Sequence, residues 1–223
     1  MNLILTSDFP STECGGVLDH MRRAASRPRI AWIPPVTDTE RERFRKAQAH
    51  FERYGFDNLE YYDIDLEADE ARLSHLEQCD IVYLSGGDPL RFRANMSQTN
   101  LAARLRHCLD KGRLLVAASG GSLQFTKNLS LFRLQLTTVD EVFMDRGEYE
   151  ALGFVGYELL PHMNRFDGEF LERVRQYSER VGHDIVAIED GSAVIHGALD
   201  DYRCVGSAVR FRNGLMTPIG TEA

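Results

Sequence analysis

The chain has 223 residues, a length that one α/β domain fills comfortably. With 43% hydrophobic, 27% charged and 9% aromatic residues its composition is globular, which excludes a disordered chain, a collagen and a disulfide scaffold. The 26 basic against 34 acidic residues leave a net charge of −8, which argues against a nucleic-acid partner, and no apolar run reaches the ~18 residues of a membrane span.

Short apolar runs alternate with amphipathic stretches. Residues 2–7 read as a first strand; no basic region stands ahead of it, so no signal peptide is expected. A helix follows over 16–25, then a strand over 29–33 that Pro34-Pro35 stops. Residues 37–54 read as a long charged helix with Phe44, Ala47, Phe51 and Tyr54 along one face. Strands are expected at 58–64 and 79–85, with a short helix over 68–76 between them. Helices over 89–95 and 101–111 lead to a fifth strand over 113–118, and a new helix opens at Ser119 or just after. The second half is less regular. Residues 153–160 look extended and 167–181 helical. Shorter strands are expected at 185–188, 192–195 and 204–212, and Asn213-Gly214 marks a hairpin into 215–217 at the sheet edge. The alternation points to a parallel sheet covered on both faces, in one domain over 1–223. Cys14, Cys79, Cys108 and Cys204 lack C-x-x-C spacing and read as buried thiols of a reducing cytosol.

Ligands of an open parallel sheet bind beyond the carboxyl ends of its strands. After the fifth strand comes Ala117-Ala118-Ser119-Gly120-Gly121-Ser122. A serine between an apolar strand and a helix, among residues without bulk, suits a nucleophile elbow, where the next backbone N–H faces the developing oxyanion. Ser119 could equally be a plain helix N-cap, and Ser122 is a weaker candidate one turn on. After the fourth strand, Gly86-Gly87 lets backbone amides approach a ligand, while Asp88-Pro89 reads as N-cap and first helical residue. Of seven histidines, His162 stands apart: it follows an extended run and Pro161, at a strand end before a loop. A carboxylate must fix its tautomer, and Asp140 lies between the two in sequence after the β-branched run Thr137-Thr138-Val139. Glu141, Asp145 and the pair Glu189-Asp190 are its rivals, and the polar run 140–150 reads alternatively as a flap. No metal-binding spacing such as H-E-x-x-H occurs, so neither a metal nor another cofactor is expected.

These motifs together resemble the peptidase E family, the α-aspartyl dipeptidases among serine peptidases. Members carry Gly-Gly-Asn-Thr after the fourth strand, where this chain has Gly86-Gly87-Asp88-Pro89. They carry G-x-S-A-G at the elbow, here Ala117-Ala118-Ser119-Gly120-Gly121, and a Pro-His motif, here Pro161-His162. Thr137-Thr138-Val139-Asp140 looks like their Thr-Thr-Asn-Asp run, which bears the triad aspartate, although the interval from Ser119 is longer. The resemblance implies a doubly wound, mostly parallel α/β sheet, flavodoxin-like or class I glutamine amidotransferase-like, with helices on both faces. It implies Ser119 as nucleophile, His162 as base, Asp140 as orienting acid, and the amides of Gly87 and Gly120 as oxyanion hole. The substrate it implies is a small peptide with N-terminal aspartate, for which Arg165 and Arg173 are the candidate cations unless they merely line a charged helix. A cytoplasmic monomer or homodimer, with neither nucleic acid nor membrane as partner, completes the expectation. The alternative is a non-peptidase, or a catalytically inactive binding or regulatory module on an amidotransferase-like fold.

Overall fold

The computed structural model describes residues 2–11, 14, 16–198 and 201–222. The first half of the chain runs β1 (Leu3–Thr6), α1 (Val17–Ala24), β2 (Ile30–Ile33), α2 (Glu42–Glu52), β3 (Leu59–Tyr61), α3 (Glu70–Leu73), β4 (Ile81–Leu84), α4 (Pro89–Gln98), α5 (Leu101–Asp110) and β5 (Leu114–Ala118). The second half continues with α6 (Gly120–Leu123), α7 (Ser130–Leu134), α8 (Val139–Met144), β6 (Glu158–Leu160), α9 (Gly168–Arg180), β7 (Ile185–Ile188), β8 (Ala193–Ala198), β9 (Asp201–Val205), β10 (Ala208–Arg212), β11 (Leu215–Pro218) and β12 (Thr221–Glu222).

The main sheet has the order β12-β9-β8-β1-β5-β4-β2-β3. Strands β3, β2, β4, β5 and β1 are mutually parallel, and β8 runs antiparallel to β1. Strands β1, β2, β4 and β5 are buried along their whole length, which is why they read as unbroken apolar runs rather than alternating ones. Their side chains still alternate between faces. Leu3, Leu5, Ala31 and Ile33 enter one core with α4 and α5, through Phe92, Met96, Leu101 and Leu105. Ile4, Ile30 and Trp32 enter the opposite core with α1 and α2, through Val17, Met21, Ala47 and Phe51. The carboxyl ends of β1, β5 and β4 therefore lie side by side on one edge.

A second sheet, β11-β10-β7-β6, takes the later strands. Its β6 and β7 are parallel, with Leu160 opposite Ala187. Period two again divides its faces. Leu159, Val186 and Ile188 pack into the core under the main sheet, while Leu160, Ile185 and Ala187 face α9 through Phe170, Val174 and Tyr177. Beneath that layer Glu158, fully buried, accepts hydrogen bonds from Arg146 Nη2 (2.7 Å), His183 Nε2 (2.8 Å) and Tyr177 OH (3.0 Å). A buried carboxylate is tolerated only with such partners, and these pin the turn at 146–149 to β6.

Several expectations change at this level. The strand expected over 204–212 is broken: Gly206 takes φ +78, and β9 and β10 belong to different sheets. A Cβ at Gly206 would lie 2.5 Å from Ser192 Oγ, so the break is fixed by packing as well as by backbone conformation. The Asn213-Gly214 hairpin forms as expected, but at the edge of the second sheet. The long helix over 37–54 begins only at Glu42, because the Asp38 carboxylate accepts the Phe44 N–H (2.8 Å) while Arg41 sits at φ +54. The run 140–150 does not follow a strand end: it lies in α8 and the turn at 146–149. Thr138 and Glu141 form a capping box that starts α8. All four cysteines are buried thiols. No helix among the described residues is long and apolar enough to cross a membrane.

Candidate active site

Ser119 follows β5 directly, with φ +49 and ψ −118, a conformation that a residue with a Cβ adopts only when its surroundings impose it. The neighbours show what imposes it. A Cβ on Gly120 would stand 2.0 Å from the Gly87 carbonyl oxygen, and one on Gly121 would stand 2.6 Å from the carbonyls of Leu84 and Ser85. The turn after β5 is pressed onto the loop after β4, and only glycine fits at both positions. Gly87 itself has φ +137, with Pro35 Cγ 2.7 Å from where its Cβ would be. Asp88 caps α4 by accepting from the N–H groups of Leu90 and Arg91, a cap that contributes about 1 kcal/mol. Ala117, where the family pattern has glycine, is a buried strand residue whose carbonyl accepts from Thr6 Oγ1 (3.0 Å) and Ser122 Oγ (2.8 Å). Ser122 is therefore a structural hydroxyl, fully buried and held between the carbonyls of Ala117 and Thr6.

His162 comes from the end of β6, at φ +59 and ψ +32. Its Nε2 lies 2.9 Å from Ser119 Oγ. Its Nδ1 lies 2.6 Å from Oδ1 of Asp190, which follows β7. Parallel pairing of β6 with β7 is what sets these two residues side by side. Burial works to raise the Asp190 carboxyl. Hydrogen bonds from Arg165, His162 and Asn164 outweigh it and hold the group far below the usual carboxylate range. Arg165 grips Asp190 bidentately, Nε to Oδ2 at 2.7 Å and Nη2 to Oδ1 at 3.0 Å, and Asn164 Oδ1 accepts the Asp190 N–H. An ionised Asp190 accepts from Nδ1–H, which leaves Nε2 as the proton acceptor facing Ser119.

Ser7, at the end of β1, was not singled out in the sequence. It is fully buried and accepts the His162 backbone N–H at 2.8 Å, with its hydroxyl directed at Asp190 Oδ1 (3.4 Å). It ties the left-handed His162 to the main sheet. Replacing Ser7 with alanine leaves that N–H without its acceptor. The expected result is a stability loss of about 1–3 kcal/mol and a kcat about 10²-fold lower with KM near that of the wild type, read from thermal melts and steady-state kinetics.

Asp140 does not join this group. It lies in the first turn of α8 with its side chain 84% exposed, and pairs with Arg180 Nη1 at 2.6 Å. The β-branched run before it caps a helix instead of ending a strand, and the carboxylate that meets His162 is that of its rival Asp190. Glu141 belongs to the capping box and Asp145 to an ion pair with Arg133. Arg173 is also displaced from its expected role: on α9 it pairs with Glu169 Oε1 (2.9 Å) and lies over the Phe170 ring.

Ser119, His162, Gly87, Gly120 and Arg165 line one cavity of about 280 Å³. Gly87 and Gly120 sit against each other at its wall, and the Gly120 N–H, in the first turn of α6, has no intrahelical acceptor. Among the described residues no group of three or more His, Cys, Asp or Glu side chains is arranged to hold a metal ion.

Both the sequence and the fold have counterparts among known proteins. The chain is 26% identical over 208 residues to peptidase E of Streptomyces coelicolor, covering 86% of this chain and 79% of that one. Its fold matches the crystal structure of a peptidase from an acI-B1 Actinobacterium with a TM-score of 0.73, at 16% identity, over 99% of this chain and 94% of the other. It also matches a candidate peptidase E protein from Listeria monocytogenes EGD-e with a TM-score of 0.68, at 21% identity, over 91% and 96% of the two chains. The sequence profile of peptidase family S51 matches residues 3–198, and the chain accordingly belongs to that family of serine peptidases.

Proposed function

We propose that this chain hydrolyses short peptides through an acyl-enzyme mechanism carried by Ser119, His162 and Asp190. The observation behind the reading is the continuous line of hydrogen bonds from Ser119 Oγ through both ring nitrogens of His162 to Asp190. Ser119 Oγ adds to the substrate carbonyl while His162 Nε2 accepts the hydroxyl proton. The carbonyl oxygen becomes an anion, received by the N–H groups of Gly87 and Gly120. Collapse of the intermediate expels the amine, which takes the proton from His162. Water then gives a proton to His162, attacks the Ser119 ester and releases the acid, and Ser119 Oγ is reprotonated. Every step balances with groups of this chain and water.

A cavity near the lower end of the ~300–1,000 Å³ range of ligand pockets suits one or two residues rather than a long peptide. The N-terminal aspartate implied by family resemblance would need a cation, yet Arg165 and Arg173 already face carboxylates of this chain. The intact line of hydrogen bonds argues against the catalytically inactive module. The order β3-β2-β4-β5, with helices over both faces, supports a doubly wound core of the flavodoxin-like or class I glutamine amidotransferase-like kind. A core shared by both sheets supports a single domain over 1–223. The buried thiols are in keeping with a cytoplasmic setting. A fluorophosphonate probe tests the chemistry: wild-type protein should be labelled on Ser119 and the Ser119→Ala variant should not. Labelling that survives in the variant would refute the assignment.

A further inference from the structure

Resting on that catalytic reading, we infer that the residue whose carbonyl meets Ser119 is an apolar one, of leucine or phenylalanine type, and not an acidic one. Leu123 of α6, Leu131 and Phe132 of α7, Leu160 of β6 and Phe166 after His162 supply the side-chain wall of the cavity around Ser119. Leu123, Leu131 and Leu160 are almost wholly buried there, so the wall is a fixed apolar surface continuous with the core. Among the described residues lining the cavity, only Arg165 carries a full positive charge, and two of its nitrogens are committed to Asp190.

That commitment decides the selectivity. A substrate carboxylate loses its water on entering, which is costly unless an unengaged cation replaces it. On Arg165 it would be the second carboxylate on one guanidinium, next to the charge of Asp190. Drawing Arg165 away would also strip Asp190 of its strongest partner, and with it the support of His162. An acidic substrate thus weakens the group that must cleave it, whereas an apolar side chain gains from the wall and leaves the ion pair alone. Substrate charge and catalytic acid compete for the same guanidinium, and the acid is covalently in place.

The test is a panel of Leu-Gly, Phe-Gly, Asp-Gly and Gly-Leu with wild-type protein, run beside fluorophosphonate labelling of Ser119. Leu-Gly or Phe-Gly should exceed Asp-Gly and Gly-Leu in kcat/KM by about 10- to 100-fold. Gln135 lines the cavity with an exposed side chain, so Gln135→Arg adds an unengaged cation without disturbing the core. In that variant the ratio of Leu-Gly to Asp-Gly should fall by about tenfold or more. Labelled wild-type protein that prefers Asp-Gly or Gly-Leu, or cleaves none of the four, overturns this inference and leaves the nucleophile standing. Folded wild-type protein that takes no label at Ser119 overturns both.

Discussion

The Ser119→Ala variant is expected to lose about 10⁶-fold in kcat while melting within about 2 °C of the wild type. The two halves of that expectation have separate causes. Ser119 Oγ is the atom that His162 Nε2 faces at 2.9 Å; the Ser122 hydroxyl is locked between two carbonyls, and the fully buried Ser7 hydroxyl lies on the other side of the ring, 3.2 Å from Nδ1. Nothing can stand in for the missing nucleophile. Stability is spared because alanine keeps the Cβ and the same backbone conformation, and the lost oxygen is not a cap: Ser119 makes no side-chain hydrogen bond to the start of α6. Steady-state assays with the preferred dipeptide and a thermal melt measure both. A variant that retains more than about a hundredth of the wild-type rate would show that the chemistry passes through another group.

The second large effect separates two aspartates. Asp190→Asn is expected to lower kcat by about 10⁴-fold, and Asp140→Asn by less than about twofold. An asparagine amide at 190 can donate to Nδ1 of His162, which moves the ring proton to Nε2 and leaves no acceptor for the Ser119 hydroxyl. It also removes the charge that Arg165 holds. Asp140 is exposed on α8, where it pairs with Arg180. Because the Asp190 carboxyl is held far below the usual range, it stays ionised from about pH 4 upward. Lowering the pH to that point should therefore not reproduce the Asp190→Asn defect in the Asp190 carboxyl itself.

The strands β1 to β5 of the main sheet, together with Ser119 and His162, were legible because each is announced locally. Ser119 sits among small residues where an apolar run meets a helix, and His162 follows Pro161 at the end of an extended run. Asp190, the carboxylate that meets His162, was not legible in this way. What brings Asp190 to His162 is the pairing of β6 with β7, a contact between segments 28 residues apart. Its local cue, Glu189-Asp190-Gly191 after the apolar run Ile185–Ile188, is the same strand-end signature that favoured His162, but nothing in the run names its neighbour strand. Thr137-Thr138-Val139 misled for a related reason: threonine before an acidic residue starts a helix as readily as β-branched residues end a strand. Ser7 looked like any polar residue after a strand, and only the left-handed turn at His162 gives its hydroxyl a task.

The proposed catalytic line crosses a seam. Ser119 and Ser7 belong to the main sheet, while His162 and Asp190 arrive from the second. Turnover is then a gauge of how firmly one sheet is seated on the other, read at a gap of a few ångströms. Partial undocking of the smaller sheet would silence the enzyme while most of its helical signal persisted. In a urea titration, catalytic rate is accordingly expected to fall ahead of far-ultraviolet ellipticity. A transition-state mimic bound to Ser119 and His162 together would rivet the two sheets and bring the two curves back into register.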